Sequence, residues 1–90
     1  MSEFRNNHER QRYEMDVEGG QLVADYQDRG GVSAITRVFT PVELRGRGLA
    51  GALMKAVVED ARAQGVQLKA VCPYAVAYAK RYPETQDVLI

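Results

Sequence analysis

A glycine-containing segment that runs directly into a helical pattern constrains the fold of this chain more than any other feature. Within Glu43–Met54, the sequence Arg45-Gly-Arg-Gly48 precedes apolar residues spaced as on one helix face: Leu49, Ala52, Leu53, Ala56 and Val57. The start of a helix exposes about four unpaired backbone N–H groups and the positive end of the helix dipole. Because glycines let a ligand approach this backbone closely, the segment predicts a phosphate-binding helix N-terminus.

Three runs of alternating residues precede this segment, at Arg12–Glu18, Gln21–Gln27 and Val32–Thr40. Short glycine turns separate them, so they predict an antiparallel three-stranded meander. The third run is expected to be central because both of its faces are partly apolar. One face is expected to carry Val32, Ala34, Thr36 and Val38, and the other Ser33, Ile35, Arg37 and Phe39. Pro41 ends this strand, since proline cannot donate a sheet hydrogen bond.

The second half of the chain predicts a helix, a strand and a shorter helix. The main helix runs from about Gly48 to Gln64, and Gly65 ends it. Val66–Cys72 is a fourth strand, which the helical crossover places parallel to the third. A second helix follows at about Ala75–Tyr82, and the apolar tail Asp87–Ile90 is expected to cap the core. The fold class is therefore α/β, with a meander, a parallel fourth strand and two helices.

Composition limits the class of protein. Ninety residues make one domain, in which residues 1–11 are polar and expected to be partly disordered, and residues 12–90 fold. Twelve basic and twelve acidic residues cancel, so we expect no nucleic-acid partner and no membrane association. A single cysteine and the absence of a long apolar run indicate a cytoplasmic protein. We predict no metal site, and a monomer or a weak dimer.

Several spaced segments resemble those of a known family. Arg45-x-x-Gly48-x-Ala50 resembles the Arg/Gln-x-x-Gly-x-Gly/Ala signature of the GNAT superfamily of acyl-CoA N-acyltransferases. The chain looks most like the small stand-alone YjdJ-type group of that family, on the segments Pro41–Ala50, Asp60-Ala-Arg62, Gly65, Cys72-Pro-Tyr74, Arg81-Tyr-Pro-Glu84 and Asp87. The resemblance covers about Tyr13 to Leu89. It implies a miniature GNAT fold that uses acetyl-CoA as co-substrate.

The resemblance also implies where the coenzyme binds. The pyrophosphate is expected at the backbone amides of Arg45, Gly46, Arg47, Gly48, Leu49 and Ala50. The pantetheine arm is expected between the diverging strands Val32–Thr40 and Val66–Cys72, with hydrogen bonds to the main chain of Val38, Phe39 and Thr40. The thioester would then end near Cys72, which is counted among the coenzyme contacts.

Two residues are candidates for catalysis. The thiol of Cys72 could accept the acetyl group or lie beside the thioester, although a free cysteine is often a small buried apolar residue. Tyr78 resembles the tyrosine that protonates the leaving thiolate in larger GNAT enzymes. The alternative is that Tyr74, Tyr78 and Tyr82, spaced by four residues, only pack together.

A general base is not evident in the sequence. His8 lies in the polar N-terminal segment, and Glu43 could act through water but is more simply a surface carboxylate. Members of the resembling group commonly carry a His-Thr pair on the third strand, where this chain has Arg37-Val38. We therefore expect an acetyl-CoA-dependent N-acetyltransferase that acts on an unidentified amine of a small molecule or protein. The alternatives are a non-catalytic acyl-CoA-binding module and a protein-interaction domain on the same fold.

Overall fold

The computed structural model describes residues 3–90 and has an α/β architecture built on a mixed sheet. Within those residues the strands are β1 (Glu3–Asn7), β2 (Arg12–Val17), β3 (Gly20–Arg29), β4 (Val32–Phe39) and β5 (Gln67–Ala70). The helices are α1 (Leu49–Gln64) and α2 (Pro73–Arg81), with 3₁₀ turns at Val42–Leu44 and Pro83–Thr85. Strands β1 to β4 form an antiparallel meander, and β5 lies parallel to β4. The predicted class, meander and parallel strand are confirmed.

Strand β1 corrects the strand count expected from the sequence. Residues 3–7 pair with β2 along their whole length, so this part of the N-terminal segment is ordered. The ring of Phe4 stacks on Tyr13 at 5.8 Å, and Arg5 forms ion pairs with Glu14 and Asp16, each at 2.8 Å. Because polar cross-strand pairs hold β1 in place, its sequence shows little of the apolar alternation by which a strand is recognised. Met1 and Ser2, to which the expected disorder also applied, lie outside the described residues.

A β-bulge in β4 changes which side chains face the core. Asp25 pairs with Arg37 and Tyr26 pairs with Ile35, so Thr36 has no residue opposite it on β3. Ile35 is fully buried and Val38 packs against the same core, although strict alternation places them on opposite faces. The predicted alternation is therefore wrong beyond the bulge.

The hydrophobic core lies between the sheet and α1. The buried residues of α1 are Leu53, Met54, Val57, Val58 and Ala61. This stripe is rotated from the predicted one, which included Ala52 and Ala56. The rotation buries the larger side chains of Met54 and Val58, which removes more apolar surface from water than alanines do. Neither helix within residues 3–90 is long and apolar enough to cross a membrane.

The ends of β5 and α2 differ from the predicted boundaries. Strand β5 stops at Ala70, and α2 begins at Pro73 because proline suits the first helical position and Cys72 caps the helix. The C-terminal tail caps the core as expected, with Val88 and Leu89 buried. The N–H of Leu68 donates to the carbonyl oxygen of Val88 at 2.7 Å, so the tail also covers the outer edge of β5.

Candidate functional site

The loop between β4 and α1 is anchored at both ends and turns through two glycines. Leu44 is buried, and the Nε atom of Arg45 donates to the carbonyl oxygen of Thr40 at 3.0 Å. Gly46 and Gly48 have φ angles of 82° and 73°, in the left-handed region that favours glycine. A Cβ atom at either position would have no neighbouring atom within 4 Å. A side chain there would be strained by the backbone but not crowded by the protein.

Six consecutive backbone N–H groups, from Gly46 to Gly51, donate to no residue in the described part of the chain. The first amide of this region with a partner is that of Ala52, which donates to the carbonyl oxygen of Gly48 at 3.2 Å. The N-cap residue Gly48 offers no side-chain acceptor, and the first turn of α1 has no acidic residue. The positive end of the helix dipole is therefore uncompensated, and we name residues 46–51 the amide arc.

The amide arc borders a cavity of about 420 Å³ at the end of β4. The lining comes from β4, the loop, the first turn of α1 and α2: Val38, Phe39, Thr40, Leu44, Arg45, Gly46, Gly48, Leu49, Ala50, Gly51 and Tyr74. The cavity thus brings together all the predicted coenzyme contacts except Arg47 and Cys72. It combines apolar side chains with unpaired amides, which suits a ligand that is apolar along one arm and anionic at its end.

The cavity lies where β4 and β5 separate. Their pairing ends at Ile35 and Ala70, and the N–H groups of Val71 and Cys72 both donate to the carbonyl oxygen of Ile35, at 3.1 and 3.0 Å. The chain then turns into α2. Among the described residues, β4 beyond Thr36 therefore has a strand partner only on the β3 side. This leaves a wedge between the end of β4 and the start of α2.

Cys72 lies at the apex of this wedge, with its sulfur engaged in capping α2. The Sγ atom accepts a hydrogen bond from the N–H of Ala75 at 3.3 Å, and the residue is 7% exposed. Cys72 belongs to the hydrophobic core and does not line the cavity. This geometry fits the structural alternative for Cys72, and acyl acceptance by its thiol stays a prediction.

Tyr74, which the sequence did not single out as a site residue, is the tyrosine that lines the cavity. Its hydroxyl oxygen lies 3.8 Å from the position that a Cβ atom would occupy at Gly51. Tyr78 lines two neighbouring depressions instead, and its ring packs against Tyr82 at 4.7 Å. Partial burial is the main cause that raises the pKa of both Tyr74 and Tyr78, so both phenols stay protonated at neutral pH. The sequence feature that could have identified Tyr74 as a site residue is its position directly after Cys72-Pro73, at the start of α2.

The remaining candidate residues do not line the cavity. Arg37 pairs with Asp25 at 3.3 Å and lies 5.0 Å above the ring of Phe39, in keeping with a solvated strand face. Glu43 and Arg47 are exposed on the loop, and His8 borders a separate depression with Asp28 and Asp60. Within residues 3–90, no three His, Cys, Asp or Glu side chains cluster closely enough to hold a metal ion.

Comparison with known proteins extends these observations to the whole chain. The sequence profile of the GCN5-related N-acetyl-transferase family matches residues 12–88. The solution NMR structure of a GCN5-like protein from Staphylococcus aureus superimposes with a TM-score of 0.74 and 24% sequence identity. That superposition covers 98% of this chain and 87% of the other. No curated protein sequence matches the chain significantly.

Proposed function

Because the chain belongs to the GCN5-related N-acetyltransferases, whose profile matches residues 12–88, we propose that it binds acetyl-CoA and transfers the acetyl group to an amine. The diphosphate of the coenzyme binds at the amide arc, and the pantetheine arm follows the cavity along Val38–Thr40. The acceptor is an amine of a small molecule or of a protein. Membership in the YjdJ-type group stays a prediction.

The amide arc supports this proposal most directly. A backbone N–H group without an acceptor is costly once a ligand excludes water from it, so the occupant must supply acceptors. A diphosphate supplies several oxygens, and its charge is stabilised by the helix dipole and by the nearby Arg45 and Arg47. Since the molecule is neutral overall, attraction of this anion depends on these local groups.

The open side of β4 supports the position of the pantetheine arm. Because β5 leaves β4 at Ile35, Val38–Thr40 have no strand on that side among the described residues. An extended ligand that contains amide groups can pair with such an edge as an added strand does. The apolar side chains of Val38, Leu44 and Leu49 line the same cavity and suit the methylene groups of the arm.

Acetyl transfer needs a neutral amine, stabilisation of the developing oxyanion and a proton for the leaving thiolate. Amides near Val38 and Phe39 could polarise the thioester carbonyl. Tyr78 is the predicted proton donor, although Tyr74 is the phenol that lines the cavity. A phenol with a raised pKa is a weaker acid than a thiol, whose pKa is about 8.5. Either tyrosine would therefore act mainly by hydrogen bonding to the sulfur.

The cavity lining also favours a second candidate function, a non-catalytic acyl-CoA-binding module. Among the residues that line the cavity in the described chain there is no carboxylate and no imidazole. No protein group at this site is thus placed to deprotonate an acceptor amine. A module that only binds the coenzyme would need the amide arc and the wedge but no such base.

Two matched glycine substitutions test coenzyme binding. Gly48 and Gly65 have nearly the same backbone angles, with φ of 73° and 71°, and both face open space. Glutamate at either position carries the same left-handed strain of about 1–2 kcal/mol, but only Gly48→Glu places an anion beside the amide arc. We expect calorimetry to show at least about tenfold weaker coenzyme A binding for Gly48→Glu, or 1.4 kcal/mol, and unchanged binding for Gly65→Glu. Equal affinities in two folded variants would refute the placement of the diphosphate.

Release of free coenzyme A separates an enzyme from a module. Wild-type protein is incubated with acetyl-CoA and a panel of alkyl amines and lysine peptides, and the thiol is measured. Release that requires both protein and amine supports acetyl transfer. Saturable binding without amine-dependent release across the panel supports the non-catalytic module.

A further inference from the structure

A polar depression between the sheet and the last turns of α1 takes no part in the proposed function. It has a volume of about 360 Å³, and we name it the acidic depression after Asp28 and Asp60, which line it. It shares no lining residue with the cavity along β4. Because a helix rises 1.5 Å per residue, Asp60 lies about 14 Å along α1 from Gly51. The two depressions are therefore separate sites.

The hydroxyl group of Tyr13 points to a ligand in the acidic depression. Tyr13 is only 1% exposed, and its ring lies 5.8 Å from that of Phe4 and 5.1 Å from that of Tyr26. The Tyr26 hydroxyl donates to the side-chain oxygen of Asn6 at 2.6 Å, but the Tyr13 hydroxyl has no hydrogen-bond partner in the described chain. Since no fully buried polar side-chain atom of the described residues lacks a partner, this hydroxyl must open into the depression. An occupant would complete its hydrogen bonding.

The lining of the acidic depression carries unpaired negative charge. Asp60 is half-buried, and neither it nor Asp28 takes part in any ion pair of the described residues. Asp28 accepts a hydrogen bond from the buried hydroxyl of Ser33 at 2.7 Å, which is a neutral donor. No lysine or arginine of the described chain lines the depression. The carboxylates therefore leave room for a cation from outside the protein.

The carboxylates also act on the two phenols. Burial is the main cause that raises the pKa of both Tyr13 and Tyr26, and the charges of Asp60 and Asp28 raise it further. Both phenols therefore stay protonated at neutral pH and offer neutral hydroxyl groups to a ligand.

We propose that the acidic depression binds a small organic cation that carries a primary ammonium group. Such a group has three N–H donors and no acceptor, which matches two carboxylates and the Tyr13 hydroxyl. With a pKa of about 10.4, as in lysine, it is charged at neutral pH. Val66 and the tyrosine rings give the alkyl part an apolar lining. A metal ion suits the site less, because no three His, Cys, Asp or Glu side chains converge within residues 3–90. This site is distinct from the wedge proposed for acetyl transfer, and the inference does not depend on that function.

An NMR titration of the protein without coenzyme tests the requirement for charge. We expect n-butylammonium chloride to shift the amides of lining residues such as Ser33 and Gln64 saturably, and its neutral isostere n-butanol to leave them unchanged. Asp60→Asn should weaken n-butylammonium binding at least about tenfold, because a hydrogen bond to a charged group is lost. Glu59→Gln makes the same charge change at the neighbouring exposed residue outside the depression, and it should bind as the wild type does.

Two tyrosine substitutions test whether the Tyr13 hydroxyl is available to a ligand. Tyr13→Phe keeps the ring and should weaken n-butylammonium binding about two- to tenfold, the range for one hydrogen bond. Because that hydroxyl has no partner in the described chain, urea unfolding should show Tyr13→Phe as stable as the wild type. Tyr26→Phe removes the hydrogen bond to Asn6 and should be less stable. A Tyr13→Phe protein with reduced stability and unchanged affinity would overturn the assignment of this hydroxyl to a ligand.

Three outcomes would refute the ammonium site as a whole. They are the absence of saturable shifts in the acidic depression of the wild type, equal binding of n-butanol, and equal weakening by Asp60→Asn and Glu59→Gln. Shifts at the amide arc in place of the depression would put the amine elsewhere and refute the site too. Because the wild-type titration needs no variant, the test holds even if one of the variants fails to fold. None of these outcomes bears on coenzyme binding, which Gly48→Glu and Gly65→Glu test separately.

Discussion

Gly51 borders the cavity, and it lies in the first turn of α1. Alanine favours a helix over glycine, so Gly51→Ala should stabilise the fold by about 0.5 kcal/mol. The new methyl group would lie 3.8 Å from the Tyr74 hydroxyl, an ordinary contact, but it would stand beside the amide arc. We expect coenzyme A affinity to fall at least about fivefold, or 1 kcal/mol. Urea unfolding and calorimetry measure the two effects. A variant that is both more stable and equally tight in binding would contradict close approach of the diphosphate.

Cys72 allows its structural and chemical roles to be separated by two substitutions. Serine keeps an acceptor at the N-cap of α2, whereas alanine leaves the Ala75 amide without one. We expect urea unfolding to show Cys72→Ala less stable than Cys72→Ser by about 1 kcal/mol, the usual value of an N-cap. Both variants should bind coenzyme A as the wild type does. Detection of an acetyl group on Cys72 by intact mass, together with loss of turnover in Cys72→Ser, would instead establish the thiol as an acyl acceptor.

Strands β1 and β2 are tied together by an acidic residue on the sheet face away from the core. The side chain of Glu14 is only 4% exposed and accepts from Arg12 at 2.6 Å, from Arg5 at 2.8 Å and from Asn7 at 3.2 Å. These hydrogen bonds lower the pKa of Glu14 below its ordinary value of 4.5, and the hydrogen bond from Arg12 has the largest effect. Because the folded state holds the proton less tightly, this stabilisation is complete above about pH 4.5 and is lost as the pH falls through the lower folded pKa.

Replacement of Glu14 should therefore change both stability and its dependence on pH. We expect Glu14→Gln to be less stable than wild type at pH 7 in urea unfolding and to lose less stability between pH 5 and pH 3. Glu18→Gln makes the same charge change at an exposed position after β2 and serves as the control. Parallel pH curves for wild type and Glu14→Gln would show that this network does not couple to folding.

Some elements could be predicted because local signals bracket them. Gly48 and Gly65 have the left-handed conformation at the two ends of α1, and the helix lies within one residue of its predicted span. The bulge at Thr36 gave no such signal, because β-branched and apolar residues continue through it. Strand β1 was missed for a related reason: its pairing depends on Arg5 contacts with residues nine and eleven positions away. Contacts of that separation leave no periodic pattern in the sequence.

The candidate site could likewise be predicted only in part from the sequence. The loop could be predicted since glycines, arginines and the helix start are contiguous, and eight of the ten predicted coenzyme contacts line one cavity. Tyr74 and Tyr78 could not be told apart, because both lie on α2 and their orientation depends on how α2 packs beside α1. The capping role of Cys72 depends on where β5 ends, and its alternation with Leu68 and Ala70 predicted a longer strand.

At the scale of the whole molecule, the site proposed for the coenzyme lies at one end of the sheet, and its lining within the described chain includes no carboxylate and no imidazole. The cavity and the amide arc both lie at the end of the sheet where β4 finishes. The depression that contains His8, Asp28 and Asp60 lies instead near the C-terminal end of α1. Within the described chain, an acceptor would therefore approach the wedge apex from solvent. On this geometry its reactivity depends on its own state of protonation.

The dependence of turnover on pH tests this property of the whole domain. If no protein group removes the proton, kcat/KM should rise with pH up to the pKa of the acceptor amine itself. Two peptides separate the cases: one with a free α-amino group, pKa about 8, and one with a blocked N-terminus and a single lysine, pKa about 10.4. We expect the inflection to move by about two pH units between these acceptors. An inflection at the same pH for both acceptors would reveal a base in the free protein that the cavity lining does not show.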